Sequence, residues 1–249
     1  MARSLERLVR TWNLGKINYT NGLKLQEYVA SLHIQNSDPI VKNTLLCLEH
    51  DPVYTVGLRT KDYGSDIENK LKKTGADFHR TNRGGLITFH GPGQLVVYPI
   101  LNLKDFKPSI RWYVCHIEKT IIHLCKKFGI KAETSPDTGV WIGNNKICAI
   151  GIHGSRFITT HGLALNCNID LKWFEHIIPC GIIGKGVTSL TKELNRNVTV
   201  DEVIPELVDS FCKVFQCESL KISDNEVDYI LKSIDYQKED CLSKEVVNR

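Results

Sequence analysis

Between residues 109 and 128, Ile110, Val114, Ile117, Ile121, Leu124 and Phe128 recur at alternating gaps of four and three. That spacing draws one apolar stripe down a helix, which must then find a hydrophobic surface to cover. Strand candidates supply the surface: residues 44–49, 53–56, 94–103, 139–142 and 146–150 are short runs rich in Val, Ile, Leu and Tyr. Gly143-Asn144-Asn145, between the last two, has the composition of a hairpin turn. A further strand pair is expected across residues 157–166, and residues 78–82 form a strand leading into Arg83-Gly84-Gly85. A second striped helix opens at Thr199-Val200-Asp201-Glu202, the T-x-x-E form of a capping box, and continues through Val203, Leu207, Phe211 and Phe215. A third, capped by Thr20 or Asn21, runs to about His33 with Leu25, Val29 and Leu32 facing a core. Residues 59–76 are polar and turn-rich, predicting loop with one helical turn. Many strands among few long helices predict an α+β fold rather than regular βαβ winding.

No Gly/Ser/Pro linker, repeat or low-complexity block divides the 249 residues, so residues 12–220 read as one domain. They are flanked by a basic segment, 1–11, and a polar tail, 221–249, expected to be helix or loose chain. Arg3, Arg7 and Arg10 against a single Glu6, with Leu5, Leu8 and Val9 on one helical face, fit a short mitochondrial presequence or a plain basic tail. Nine cysteines without a C-x-x-C pair fit neither a disulfide framework nor a zinc site, which leaves thiols free to be core residues or catalysts. No apolar run approaches the ~20 residues that span a bilayer, so no membrane insertion is expected. The net charge of +4 is too mild and too dispersed for nucleic-acid binding.

Cys180 sits between Ile177-Ile178-Pro179 and Gly181-Ile182-Ile183-Gly184, a stiff setting that another group can approach closely. An ordinary core cysteine is the bland alternative. A thiol attacks a carbonyl as thiolate and needs a proton acceptor, for which the sequence offers Lys146, His153, His161 and His90. Histidine is the commoner partner. Lysine also serves, being about two pKa units more basic than a thiol, so that a close pair becomes ammonium and thiolate. The bland alternative for Lys146 is a surface lysine at the start of a strand. Gly84, Gly85, Gly91, Gly93 and Gly151 let backbone N–H groups approach a ligand, but they match neither the Walker nor the dinucleotide spacing.

Three blocks together resemble one family: Arg83-Gly-Gly-Leu-Ile-Thr-Phe-His-Gly-Pro-Gly-Gln94, residues 139–151 with Lys146, and His161-Gly-Leu-Ala-Leu-Asn166 continuing to Pro179-Cys180-Gly181 and Gly186-Val-Thr-Ser-Leu190. The chain is similar to the lipoyl(octanoyl) transferases of the lipoate pathway, in detail to the animal mitochondrial form, from about residue 14 to 217. The resemblance implies a single-domain biotin/lipoate protein ligase-like fold, with a large mixed sheet and a smaller one flanked by helices. It implies transfer of octanoyl from octanoyl-acyl carrier protein to a lysine of the lipoyl domains of 2-oxoacid dehydrogenase complexes or of glycine-cleavage H protein, in the mitochondrial matrix, without cofactor or metal. Cys180 falls on the acyl-thioester nucleophile and Lys146 on the residue that lowers its pKa. Arg83, Gly84, Gly85, Leu86, Ile87, Thr88, Phe89 and His90, then Ala149, Ile150 and Gly151, then Gly162, Leu163 and Ala164 fall on segments lining the acyl site. Leu86, Phe89, His153 and Gly154 depart from common family choices. An ATP-dependent lipoate ligase would share the RGG-like strand and the lysine but would not need the thiol, and a scaffold that merely binds lipoyl domains is a third reading.

Overall fold

The computed structural model describes residues 7–35, 43–59, 63–178 and 184–234. The chain enters on strand β1 (Leu8–Ile17), turns into helix α1 (Tyr19–Gln35), and returns as β2 (Thr44–His50) and β3 (Val53–Val56). Asn18, not Thr20 or Asn21, starts α1, its side chain accepting from the Asn21 N–H at 2.8 Å. Helix α2 (Ser65–Lys72) follows, two turns long where one was expected. Its first turn carries Asp66 and Glu68 and its last Lys70 and Lys72, charges that suit the helix dipole, and Leu71 anchors it in a core. Next come β4 (Asp77–Arg80), β5 (Thr88–His90), β6 (Gln94–Ile100) and helix α3 (Ile110–Lys127), capped by Ser109. Strands β7 (Glu133–Thr134), β8 (Val140–Ile142), β9 (Asn145–Ser155) and β10 (Ile158–Asn166) lead to β11 (Gly186–Val187), α4 (Leu190–Leu194), α5 (Val200–Phe215), β12 (Glu218–Lys221) and α6 (Asp224–Ser233).

Among the described residues these strands form a nine-stranded mixed sheet in the order β12-β1-β2-β6-β10-β9-β8-β7, with β11 added to β9, and a three-stranded sheet in the order β4-β3-β5. The α+β expectation holds. Residues 157–166, expected as a strand pair, are one strand pairing with β9 from Ile158↔Ser155 to Leu165↔Cys148. The hairpin at residues 143–145 forms as expected, with Gly143 at φ 56°.

The large sheet is buried on both faces, which is why its central strands read as nearly continuous apolar runs. Alternation sends Leu45, Cys47, Leu95, Val97, Leu163 and Leu165 into a core covered by α3 and α5, and Leu46, Leu48, Val96, Tyr98, Ile100 and Ala164 into a second core with α1 and α6. The α5 stripe of Val203, Leu207, Phe211 and Phe215 is buried as predicted. Only half of its capping box forms: Thr199 accepts from the Glu202 N–H, while the Glu202 carboxylate turns to Arg196. On α3 the buried line shifts onto Tyr113, Ile117, Ile121 and Leu124, leaving Ile110 exposed. Tyr113 wins because its ring enters the core and its hydroxyl reaches Pro99 O at 3.3 Å. A third core, with Tyr54, Ile87, Phe89 and Phe174, sits under the small sheet.

Both expected tails overlap the fold. The boundary at residue 11 cuts through β1, where Leu8, Val9, Arg10 and Thr11 pair with β12, Arg10 and Thr11 also pair with β2, and Val9 is fully buried. An amphipathic helix there is excluded from Leu8 onward, while residues 1–6 lie outside the described residues. At the other end α6 buries Ile230, closes a capping box between Ser223 and Glu226, and pairs Glu226 with Arg10 at 3.0 Å. Residues 235–249 lie outside the described residues. Deleting residues 1–11 removes every position with which β12 pairs, so the deletion should lower the urea midpoint clearly. An unchanged midpoint would mean that β1 and β12 contribute nothing to stability.

Candidate active site

Three neighbouring strands present small residues to the same side of the large sheet. Val96 on β6 pairs with Ala164 on β10, Ala164 pairs with Ala149 on β9, and Gly162 pairs with Gly151 one step further along. Four glycines and alanines in two rows leave a trough where larger side chains would fill the sheet face. The Arg83-Gly84-Gly85 segment closes over it. Gly84 N–H donates to Ile152 O on β9 at 2.9 Å, and this close approach needs Gly151, whose missing Cβ would stand 2.9 Å from Gly84 O. The result is a cleft lined by Tyr19, Arg83, Gly85, Leu86, Thr88, His90, Val96, Tyr98, Ala149, Ile150, Gly151, His161, Gly162, Leu163 and Ala164.

Eleven of the fourteen residues expected at an acyl site line this cleft. Ile87 and Phe89 do not: strand alternation along β5 turns Thr88 and His90 inward and sends Ile87 and Phe89 into the third core, where Phe89 stacks on Trp173 at 4.8 Å. Gly84 contributes its backbone to β9 rather than a wall. Tyr19, Val96, Tyr98 and His161 were not among the predicted lining residues. His161 is read from sequence as a candidate proton acceptor and as the start of the third block, not as a wall of the acyl site, and nothing local marks Tyr19, which is brought in by α1.

Arg83 is buried, its Nη2 donating to Thr55 O at 2.7 Å and Thr55 Oγ1 at 2.8 Å, and its Nη1 to Gly84 O at 2.9 Å. Two buried histidines, His90 and His161, feel its charge, and a third, His50, packs against His90. His161 N–H donates to Gln26 Oε1 at 2.6 Å, which turns Gln26 Nε2 towards His161 Nδ1 and leaves the ring proton on Nε2, donated to Asn82 Oδ1 at 2.7 Å. The His50 Nδ1 proton goes to Ile17 O at 3.0 Å, so its Nε2 accepts from the Tyr98 hydroxyl at 2.7 Å. Burial, aided by Arg83 at the latter two, lowers His50 to about 4 and His90 and His161 to about 3. All three are neutral at physiological pH and poor bases. His153, half-buried on β9, does not line the cleft.

Lys146 is buried at the start of β9, not a surface lysine. Its Nζ donates to Thr138 O at 3.1 Å and lies 4.7 Å from the Trp141 ring centroid. Lys185 Nζ stands 4.4 Å from the same ring and 2.9 Å from Asp137 Oδ2. β11 is stitched alongside through Val187↔Lys146, and Thr188 N–H donates to Lys146 O at 3.0 Å. Lys146 is outside the cleft lining, three residues along β9 from Ala149, or about 10 Å of strand. Cys180, with residues 179–183, lies outside the described residues. Among the described residues no group of three or more His, Cys, Asp or Glu side chains is placed to hold a metal ion.

A family model for the lipoyl protein ligase A/B catalytic domain matches residues 18–212. The chain belongs to that family. It is 62% identical over 209 residues to a protein of Danio rerio named mitochondrial octanoyl-[acyl-carrier-protein]:protein N-octanoyltransferase, covering 84% of this chain and 93% of that one. A human protein of the same name is 43% identical over 226 residues, covering 87% and 96%. A lipoate-protein ligase A crystallised with ATP superposes with a TM-score of 0.68 at 16% identity, covering 94% of this chain and 96% of that one, which shows the shared fold. The family read from the three sequence blocks is the one found.

The neutral histidines set the acid limit of this catalytic domain. Their folded pKa values lie below the unfolded value of ~6.5, so their contribution is complete above that pH and is lost as pH falls towards about 4 for His50 and about 3 for His90 and His161. Each should cost up to about 1.4 kcal/mol per pH unit below ~6.5. Urea titrations at pH 7.5, 6 and 5 should show falling stability, with a shallower fall in His161→Gln; a flat profile would mean these rings are not held neutral.

Proposed function

We propose that this chain moves an octanoyl group from octanoyl-acyl carrier protein to a lysine of lipoyl domains or glycine-cleavage H protein, through a thioester on Cys180, in the mitochondrial matrix. The observation that carries the thiol–lysine pairing is the buried side chain of Lys146, in register with the strand that follows Cys180 by six residues. The names of the relatives at 43–62% identity support octanoyl transfer, and their description as mitochondrial supports the compartment.

The steps balance without a nucleotide. The Cys180 thiolate attacks the carrier thioester carbonyl, the tetrahedral oxyanion collapses, and the carrier thiolate leaves with a proton from the Lys146 ammonium. The acceptor lysine, as free amine, then attacks the Cys180 thioester. An amide C–N bond forms, the C–S bond breaks, and the amine's extra proton passes to the Lys146 amine, regenerating ammonium and thiolate. Thioester exchange is nearly isoenergetic and amide formation runs downhill. The small-residue cleft is suited to the apolar chain.

Two features favour this assignment of roles. The buried histidines have their lone pairs engaged and their basicity lowered, so lysine is the better proton carrier. The core thiols are inert: burial pushes Cys47 and Cys125 to about 12 and Cys148 and Cys167 higher still. Cys212 differs, being drawn down to about 7 by its contact with Cys217, so thiol reactivity must be read peptide by peptide.

Octanoyl carrier protein and a lipoyl domain should give modified lysine without nucleotide; an absolute requirement for ATP and free octanoate would mean a ligase instead. Cys180→Ala should abolish acyl-enzyme and transfer. Lys146→Ala should raise the alkylation pKa of Cys180 towards ~8.5, slowing acylation strongly with partial recovery at high pH. An alkylation pKa unmoved by Lys146→Ala but shifted by His153→Ala or His161→Ala would replace the lysine with a histidine.

A further inference from the structure

Gln94 and Asn166 close two of the recognised sequence blocks, yet neither lines the cleft. Both are buried, at 1% and 4% exposure, where a polar side chain is costly unless every group is used. Their partners force the direction of each hydrogen bond. Phe89 O and Thr188 O are carbonyls and only accept. Gln94 Nε2 is 3.2 Å from Phe89 O and 2.9 Å from Asn166 Oδ1, and Asn166 Nδ2 is 2.8 Å from Thr188 O. Both amide nitrogens therefore donate at these contacts. Gln94 Oε1 is left facing His90 Nδ1 at 2.7 Å, and an amide oxygen requires a proton on that nitrogen. A neutral imidazole carries one N–H, so His90 Nε2 is a lone pair. It points to Thr55 Oγ1 at 3.3 Å, the hydroxyl that accepts from Arg83.

A continuous chain results: Arg83, Thr55, His90, Gln94, Asn166 and the main chain at Thr188. It begins in the cleft wall and ends beside Lys146, because Thr188 N–H donates to Lys146 O. His90 also faces Tyr19, stacked at 6.2 Å, His50 at 6.1 Å, and the charges of Arg83 and any protonated His161, surroundings that oppose a second ring proton.

We propose that Gln94 and Asn166 are positioning residues for the transfer reaction: Gln94 holds His90 as the Nδ1–H tautomer with Nε2 an acceptor, and Asn166 ties the cleft wall to the main chain beside Lys146. The effect on rate rests on the octanoyltransferase reading, whereas the tautomer does not.

The test uses full-length protein labelled with ¹⁵N-histidine. His90 should show a protonated Nδ1 and a bare Nε2 from pH 5 to 8. Gln94→Met should release it into a tautomer mixture, and Gln94→Glu, which places a carboxylate at Nδ1, should convert it to imidazolium near neutral pH. Asn166→Asp keeps the acceptor for Gln94 but loses the donor to Thr188 O. It should preserve the tautomer yet lower kcat for octanoyl transfer roughly ten- to hundredfold, with KM for octanoyl carrier protein little changed. A native His90 protonated on Nε2 overturns the proposal, and so does full kcat in both Gln94→Met and Asn166→Asp. Should Asn166→Asp fail to fold, the native spectrum and Gln94→Met decide. A wild-type protein that transfers no octanoyl group removes the transferase reading while the tautomer result stands.

Discussion

The buried guanidinium of Arg83 sets the terms for everything around the cleft. Moving such a charge out of water costs several kcal/mol, and the structure offsets it with hydrogen bonds to the carbonyls of Thr55 and Gly84 and to the Thr55 hydroxyl. Those contacts join the small sheet to the strap over the large one. The same charge discourages protonation of His90 and His161, which then act as fixed neutral donors and acceptors. A cleft with a held cation and neutral rings disfavours an entering ammonium relative to a free amine. That suits a reaction in which the acceptor lysine must arrive deprotonated.

Legibility in the sequence followed contiguity. Glycines needed for close approach, the hairpin at residues 143–145 and the apolar stripe of α5 each lie within a few residues of the feature they specify, and each could be read. The contacts of Gln26 with His161, 135 residues apart, or of Asn82 with His161, 79 apart, leave no local trace. β1 was misread because Arg7 and Arg10 suggest an exposed basic segment. In the fold, Val9 enters one core and Trp12 the other, while Arg10 is matched by Glu226 from the far end of the chain. The extent of α2 was missed for a related reason: a polar surface helix held by one buried leucine shows little periodicity.

Alternation also limits what a sequence block can reveal. Residues 83–90 read as one unit, yet period two divides its strand between chemistry and packing. Thr88 and His90 face the cleft, and Ile87 and Phe89 hold the small sheet on its own core. A substitution at Phe89 would therefore act on the cleft only by moving its wall. Block resemblance identifies the segment that matters, and the pleat decides which half of it meets a substrate.

Strand β9 gives the clearest link between fold and proposed chemistry. Its first turn holds Lys146 under Trp141, its middle supplies Ala149 and Gly151 to the cleft floor, and Ile152 takes the strap through Gly84. One pleated strand flanked by β8, β10 and β11 is stiff over this distance, so the spacing between ammonium and acyl trough is set by backbone geometry rather than by side-chain rotamers. The Lys185–Asp137 pair adds to this arrangement at the surface, where such pairs contribute little stability. Its location over Trp141, next to the strand that follows Cys180, makes sense as registration of that strand against Lys146. Stability and registration are separate demands, and this sheet meets them with different residues: apolar side chains on its two covered faces for the first, and a short, largely polar seam along β9 for the second.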